Sequence, residues 1–205
     1  MSEPIIVARG VGVELGGTPV LDGIDLTVSP GEVVAVLGAN GAGKTTLLRC
    51  LAGLQPAAGS VSVLGGPPAD TPEFWRDVVL VGDEPAWYPG LTVREHLDLV
   101  GAVHGPGPLD AGRALELFEL ADRADRAPTA LSTGQRQRLS LALALLRPSR
   151  LLLLDEPERG LDAAFRDRLA VLLADYAAHG GTVVMVTHDP GFAEGARHVA
   201  LEAAA

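Results

Sequence analysis

Short apolar runs separated by glycine-rich breaks open this chain, and longer helical stripes follow. "IIVARGVGVEL" (from Ile5) and "VLDGIDLTV" (from Val20) are β-rich runs around the turn "GGTP", and "SPGE" ends the second run. Val33–Leu37, "VVAVL", is continuously apolar, as a strand buried on both faces reads. It enters a glycine-rich loop, after which Leu47, Leu48, Leu51 and Leu54 fall at helical spacing and predict a helix over about Gly43–Leu54. "GSVSVLGG" and "DVVLVG" predict further strands.

From Thr92 to Leu146 the period becomes helical. Thr92 and Glu95 have capping-box spacing before "HLDLVGAV", and "GPGP" (Gly105–Pro108) breaks the pattern. "LDAGRALELFELA" predicts a second helix, and "STGQRQRLSLALALL", opened by Ser132, a third. "RLLLLDEP" then reads as a strand, "LDAAFRDRLAVLLADYAAHGG" as a helix closed by glycine, and "TVVMVTHD" as a strand. No internal repeat or low-complexity linker interrupts this order. The pattern is an α/β core with a small β portion at the start and a helical insert.

Composition narrows what such a fold does. At 205 residues, 47% hydrophobic and 20% charged, the chain suits one domain with a real core. Twenty-six acidic against 16 basic residues give a formal net charge of −10, which argues against wrapping nucleic acid or binding anionic lipid electrostatically. Cys50 is the single cysteine, so no internal disulfide forms, and its apolar setting "LLRCLAGL" suits a buried structural thiol. "MSEPIIVARG" lacks the basic start and long apolar run of a signal peptide, and no stretch reaches the roughly 18 apolar residues of a membrane span. A soluble, cytosolic protein is expected, brought to any membrane by another chain.

One short stretch carries the strongest chemical signal. Gly38-Ala39-Asn40-Gly41-Ala42-Gly43-Lys44-Thr45 fits G-x-x-x-x-G-K-[ST] at every position, between a predicted strand and a predicted helix. Such a loop curls so that backbone N–H groups face phosphate oxygens, and the helix N-terminus adds partial positive charge. Thr45 offers a hydroxyl to Mg²⁺, Lys44 reaches the β- and γ-phosphates, and Thr46 is counted among the nucleotide contacts. Lys44 is the only lysine, against fifteen arginines. A compact ammonium on a slender stem suits a narrow cradle that a planar guanidinium would crowd.

"LLLLDEP" (Leu151–Pro157) delivers two adjacent carboxylates at the carboxyl end of an apolar strand, where α/β ligand sites lie. Neighbours in a strand point to opposite sides, so Asp155 and Glu156 take different tasks. One holds Mg²⁺ through water and the other orients the attacking water.

With these residues in place, the chain resembles the nucleotide-binding subunit of an ABC transporter over nearly its whole length. "LSTGQRQRL" (Leu131–Leu139) is similar to the family signature LSGGQ and stands at a helix start upstream of the acidic strand. The resemblance implies a P-loop NTPase fold, with a RecA-like core and antiparallel β portion over residues 1–83 and 148–205 and a helical subdomain over 84–147. It implies that Ser132, Gly134 and Gln135 bind ATP held by a second ATPase subunit. Asp155 resembles the Mg²⁺-associated aspartate, Glu156 the general base, and Asp162 in "ERGLD" the aspartate of the loop that crosses between subunits. His188 resembles the histidine that senses γ-phosphate; His96, His104, His179 and His198 are expected to be structural or surface residues. The implied ligands are ATP and Mg²⁺, and the implied partners are transmembrane permease subunits and the second ATPase, homo- or heterodimeric. The implied location is cytoplasmic, peripheral on the inner face of the membrane.

Three positions depart from the family pattern. Asp83, in "GDEPAWYP", stands where glutamine is usual, as a metal-associated residue that would reach Mg²⁺ only through water. Leu15 stands near the usual adenine-stacking aromatic, so adenine would meet an aliphatic contact worth roughly 1 kcal/mol less. Thr133 replaces the middle glycine of the signature, a position expected to tolerate a side chain. Phe74, Trp75, Trp87 and Tyr88 cluster around Asp83. Two readings stand for them: a local core, or a docking groove for helices of a membrane subunit.

The expected activity is ATP hydrolysis that drives separate transmembrane subunits, with export favoured. Alternatives are the haem-export ATPase of cytochrome c maturation and a soluble, non-transport ABC ATPase. Asp83→Gln is expected to strengthen coupling of ATPase rate to the membrane partner; an unchanged rate ratio in reconstituted complexes would remove Asp83 from that role.

Overall fold

Strand-like alternation at the start of the chain becomes an antiparallel sheet in the computed structural model, which describes residues 3–82 and 87–204. Strand β1 (Ile6–Leu15) pairs with β2 (Thr18–Val28) from Ile6 opposite Val28 to Leu15 opposite Thr18, across the Gly16–Gly17 turn. After β3 (Val33–Leu37) and helix α1 (Lys44–Leu51), β4 (Ala58–Val63) joins the other side of β1. Helix α1 stops three residues before the sequence expectation, in a turn at Ala52–Gly53.

A short helix α2 (Pro72–Asp77) and strand β5 (Val78–Val81) follow. The helical insert is α3 (Val93–His104), α4 (Ala111–Leu117) and α5 (Thr133–Leu146). Then come β6 (Leu151–Asp155), α6 (Ala163–Ala178), β7 (Thr182–Thr187) and β8 (Arg197–Ala200). Five strands form a parallel sheet in the order β5-β6-β7-β3-β8. Helix α2 and strand β8 carry no strong periodic pattern. Thr71-Pro72 nonetheless marks the start of α2, where the Thr71 hydroxyl accepts the Phe74 N–H at 3.3 Å and proline fills the first turn.

Every residue of β6 and β7 is buried, because helices and the antiparallel sheet cover both faces. Val34, Val36, Leu151, Leu153, Val184 and Val186 meet α1 and the antiparallel sheet. The alternate residues Ala35, Leu152, Leu154, Val183 and Met185 meet α6 and the helical insert. Cys50 lies in the first of these cores, where burial pushes its thiol up to about 11 and leaves it unreactive at neutral pH.

The insert is set by its caps. Thr92 and Glu95 form the expected capping box at α3, with the Thr92 amide donating to Glu95 at 2.7 Å. Ser132 and Gln135 form a second box at α5, which only the Ser132 half of the sequence reading anticipated. His96 is a structural histidine: its Nδ1 faces the Thr92 carbonyl at 2.7 Å and its Nε2 accepts the Tyr88 N–H at 3.0 Å, which fixes its tautomer.

Insert and core are joined across α5 and α6. Phe118 and Phe165 pack with ring centroids 5.9 Å apart, and Arg138 lies 4.0 Å over the Phe165 ring. The four aromatics around Asp83 are divided. Phe74 and Trp75 pack edge to face against the first core, Trp87 packs on the second beside His96, and Tyr88 is 62% exposed. Asp83 itself lies outside the described residues.

Phe118→Ala is expected to cost about 3–5 kcal/mol of stability, because a fully buried ring at the insert–core junction leaves a cavity. Val171→Ala, on the open face of α6, should stay within about 0.5 kcal/mol. Chemical denaturation of both variants checks the contrast.

Candidate functional site

Parallel register assembles the site. Leu37 pairs with Thr187, and Asp155 with Val186, so β3, β6 and β7 end side by side. The residues that follow these ends are Gly38, Glu156 and His188. Three segments far apart in sequence therefore open on one edge of the sheet.

The loop after β3 closes onto α1. Gly43 is its hinge: at φ 87° it occupies the left-handed region, and a Cβ there would lie 2.7 Å from both the Val20 carbonyl oxygen and a Leu21 methyl. The loop is thus pressed against β2. Lys44 is 7% exposed, and its ammonium donates to the Gly38 and Ala39 carbonyls at 2.8 and 2.9 Å. Three donors on one nitrogen leave a further direction for a phosphate oxygen. Ala42 is buried, and its N–H donates to the Ala39 carbonyl at 3.2 Å.

A cleft of about 620 Å³ opens over this loop. Asn40, Gly41, Gly43, Lys44, Thr45 and Thr46 line one side, and Asp155 and Glu156 line the other. Val20 and Arg159 complete it, and neither was singled out from the sequence. Arg159 had a local signal in its place three residues after Glu156; Val20 had none, because only the packing of β2 on the loop brings it there. Leu15 is 48% exposed at the tip of β1 and does not line the cleft.

Asp155 is buried at the end of β6. Glu156 turns out of the strand with φ 43°, a left-handed conformation rare for a side chain of this size. Its amide still donates to the Val186 carbonyl at 2.9 Å, and its Oε1 lies 3.0 Å from His188 Nδ1. His188 is more exposed than Glu156 and stands outside the lining of the cleft, which it meets through Glu156. Strained backbone that aims a carboxylate at a histidine is a common mark of a working site.

The residues expected to serve a second subunit lie apart from this cleft. Ser132 and Gln135 spend their side chains on the α5 cap and are exposed or half-buried. Gly134 seats the start of α5 on the loop behind Glu156, where a Cβ would lie 2.4 Å from the Gly160 carbonyl oxygen. Gln137 donates to the Pro157 carbonyl at 3.1 Å. Asp162 caps α6 through the Phe165 N–H at 3.0 Å and accepts Arg138 at 2.6 Å. The Phe165 amide, helped by Arg138, holds its carboxyl below the usual range. Thr133 is exposed, and its hydroxyl accepts Arg136 at 3.4 Å.

The cleft suits a nucleoside triphosphate. Its loop is closed by a hinge that only glycine fills, and its deepest side chain is a cation. Among the described residues no cluster of three His, Cys, Asp or Glu side chains stands ready to hold a metal alone. One hydroxyl and one carboxylate, completed by phosphate and water, instead match a Mg²⁺–nucleotide.

Residues 21–159 match the family model of the ABC transporter. The chain is 40% identical over 183 residues to the cytochrome c biogenesis ATP-binding export protein CcmA of Rhodopseudomonas palustris (strain BisB5), covering 89% of this chain and 90% of that protein. It is also 40% identical over 193 residues to the Fe(3+) ions import ATP-binding protein FbpC of Streptomyces avermitilis, covering 91% of this chain but 56% of that longer relative. Among solved structures it superposes with a TM-score of 0.85 and 29% identity on an ATP binding subunit of an ABC transporter, covering 97% of this chain and 86% of that one. A nucleotide-free ATP-binding cassette, at TM-score 0.80 and 22% identity over 98% of this chain and 88% of that one, shares the fold. The chain belongs to the ABC transporter family, as an ATP-hydrolysing subunit of the kind that works with membrane permease partners.

Proposed function

We propose that this subunit hydrolyses ATP at sites shared between two ATPase chains, with Glu156 as the general base, and so drives an export permease. One observation carries the catalytic assignment: Glu156 leaves β6 with strained backbone, lines the phosphate cleft, and lies 3.0 Å from His188. Lys44 and the loop amides would hold the phosphates, with Gly38 to Thr46 as the cradle and Val20 beside it. Thr45 and Asp155 would hold Mg²⁺, which supplies charge neutralisation at the phosphate oxygens when bound.

Glu156 then accepts a proton from the attacking water, and His188 holds its carboxylate in place. The low exposure of Asp155 beside the more open Glu156–His188 pair supports this division of tasks between the two acids. The separation of Ser132, Gly134, Gln135 and Asp162 from the cleft of their own chain supports a two-fold dimer, in which each signature serves the partner's ATP.

Residues 1–83 and 148–205 act as the core lobe, and 84–147 as the helical lobe. A hollow of about 320 Å³ lies where α3, α5 and β5 meet, lined by Trp87, Val100, His104, Leu143 and Arg147. Together with exposed Tyr88, it is the place proposed for a permease helix. No helix among the described residues is long and apolar enough to cross a membrane, which fits a peripheral subunit on the cytoplasmic face. Export is read from the likeness to the CcmA relative, which is matched over nine-tenths of its length, although similarly close relatives are import proteins.

Glu156→Gln is expected to retain ATP binding, stabilise an ATP-bound dimer, and slow hydrolysis roughly 10²–10⁴-fold. Phosphate release with size-exclusion chromatography checks it, and near-normal turnover would remove Glu156 from the base role. Lys44→Arg is expected to weaken ATP binding at least about tenfold, because a planar fork does not enter the space between the Gly38 and Ala39 carbonyls. Titration with a fluorescent ATP analogue measures that loss.

A further inference from the structure

Behind the Glu156–His188 pair lies an acid with no part in the reaction as derived above. Glu158, in the segment between Glu156 and α6, is 2% exposed. Its Oε1 accepts a hydrogen bond from the Thr187 hydroxyl, and its Oε2 has no hydrogen-bond partner among the described residues. A carboxyl buried with half its bonding capacity unmet is a poor space-filler, and an apolar side chain of similar size would serve the core better. Burial raises its pKa and favours the neutral acid; the Thr187 hydrogen bond opposes that shift, and the Glu156 charge adds to it.

Its partners point to what it does. Thr187 ends β7 and directly precedes His188, and its hydroxyl also accepts the Asp189 N–H at 2.9 Å. The Asp189 carboxylate accepts Arg166 at 3.2 Å, and Arg166 Nε donates to the Leu161 carbonyl at 3.1 Å. The Leu161 amide returns to the Glu158 carbonyl at 3.1 Å. These bonds close a ring that runs from the segment after Glu156, through both residues flanking His188, and back. The two ends of the 3.0 Å contact between Glu156 and His188 are therefore carried by one frame.

We propose that Glu158 is a positioning residue for ATP hydrolysis: through the Thr187 hydroxyl it fixes the turn that carries His188, and so sets how His188 holds Glu156. This rests on the reading of Glu156 as general base. A neutral acid suits the place, since a second carboxylate charge would compete with Glu156 for His188. A residue that merely filled space would affect stability and turnover together. A positioning residue separates them.

The test uses the full chain and six variants, reading ATP affinity, kcat and Tm. Glu158→Gln keeps the shape, the neutrality and an acceptor for Thr187, so kcat should stay within about twofold of the parent. Glu158→Leu should keep ATP affinity and hold or raise Tm, yet lower kcat roughly tenfold, as a displaced catalytic pair does. Thr187→Val should lower kcat comparably, and the Glu158→Leu/Thr187→Val double variant should be no slower than either single one. Parent-like kcat in Glu158→Leu or Thr187→Val overturns the proposal, as does Glu158→Gln being as slow as Glu158→Leu, or additive losses in the double variant. If Glu158→Leu loses its fold, Thr187→Val against Glu158→Gln decides. Adding Glu158→Leu to Glu156→Gln should change nothing further. Near-normal turnover in Glu156→Gln alone sinks the base reading, whereas an inactive Glu156→Gln beside a fully active Glu158→Leu sinks only the positioning role.

Discussion

Parallel pairing of β3, β7 and β6 is the constraint on which the rest of the structure depends. Strands that share a direction gather their carboxyl ends at one edge, and hydrogen-bond register decides which residues emerge there together. Leu37 opposite Thr187 and Asp155 opposite Val186 leave little freedom: the phosphate loop, the acid pair and His188 must come out as neighbours. A slip of one residue in β6 would turn Asp155 and Glu156 to the wrong sides and bury a charge in the core. The carboxylate at the end of β6 is what opposes such a slip, since the apolar residues before it fit either face equally well.

Around that edge the chain is stitched rather than merely packed. Gly134 rests on Gly160, Gln137 reaches Pro157, and Arg138 bridges Asp162, so the start of α5 and the segment behind Glu156 move as one piece. Arg138 also pairs with Glu119, which accepts Arg168 at 2.9 Å, tying the end of α4 to α6. The helical insert is thus anchored near the acids, and at its other side, where α3, α5 and β5 leave a hollow, Arg147 donates to the Trp75 carbonyl.

Much of this was legible in the sequence because the signals are local. The eight positions from Gly38 to Thr45 require a loop conformation that few other sequences adopt, and the "LLLLDEP" run sets its strand and its acids together. Thr92 and Ser132 announced helix starts for the same reason. What escaped notice depends on distant neighbours. Val20 enters the cleft only because β2 packs on the loop at Gly43. Strand β8 is an edge strand with mostly exposed residues, so it carries no apolar period to read. Glu158 looks like any loop acid until Thr187, 29 positions later, is seen to bury it.

The isolation of Lys44 has a practical side. Apart from the chain's own α-amine, its ammonium is the sole primary amine in the sequence, and the Gly38 and Ala39 carbonyls hold it inside the cleft. An acylating reagent therefore meets only two amines, the α-amine and one interior lysine. For most proteins such a reagent maps the exterior; for this one, the rate of acylation at Lys44, told from the α-amine by peptide mass, reports how open the phosphate cradle is.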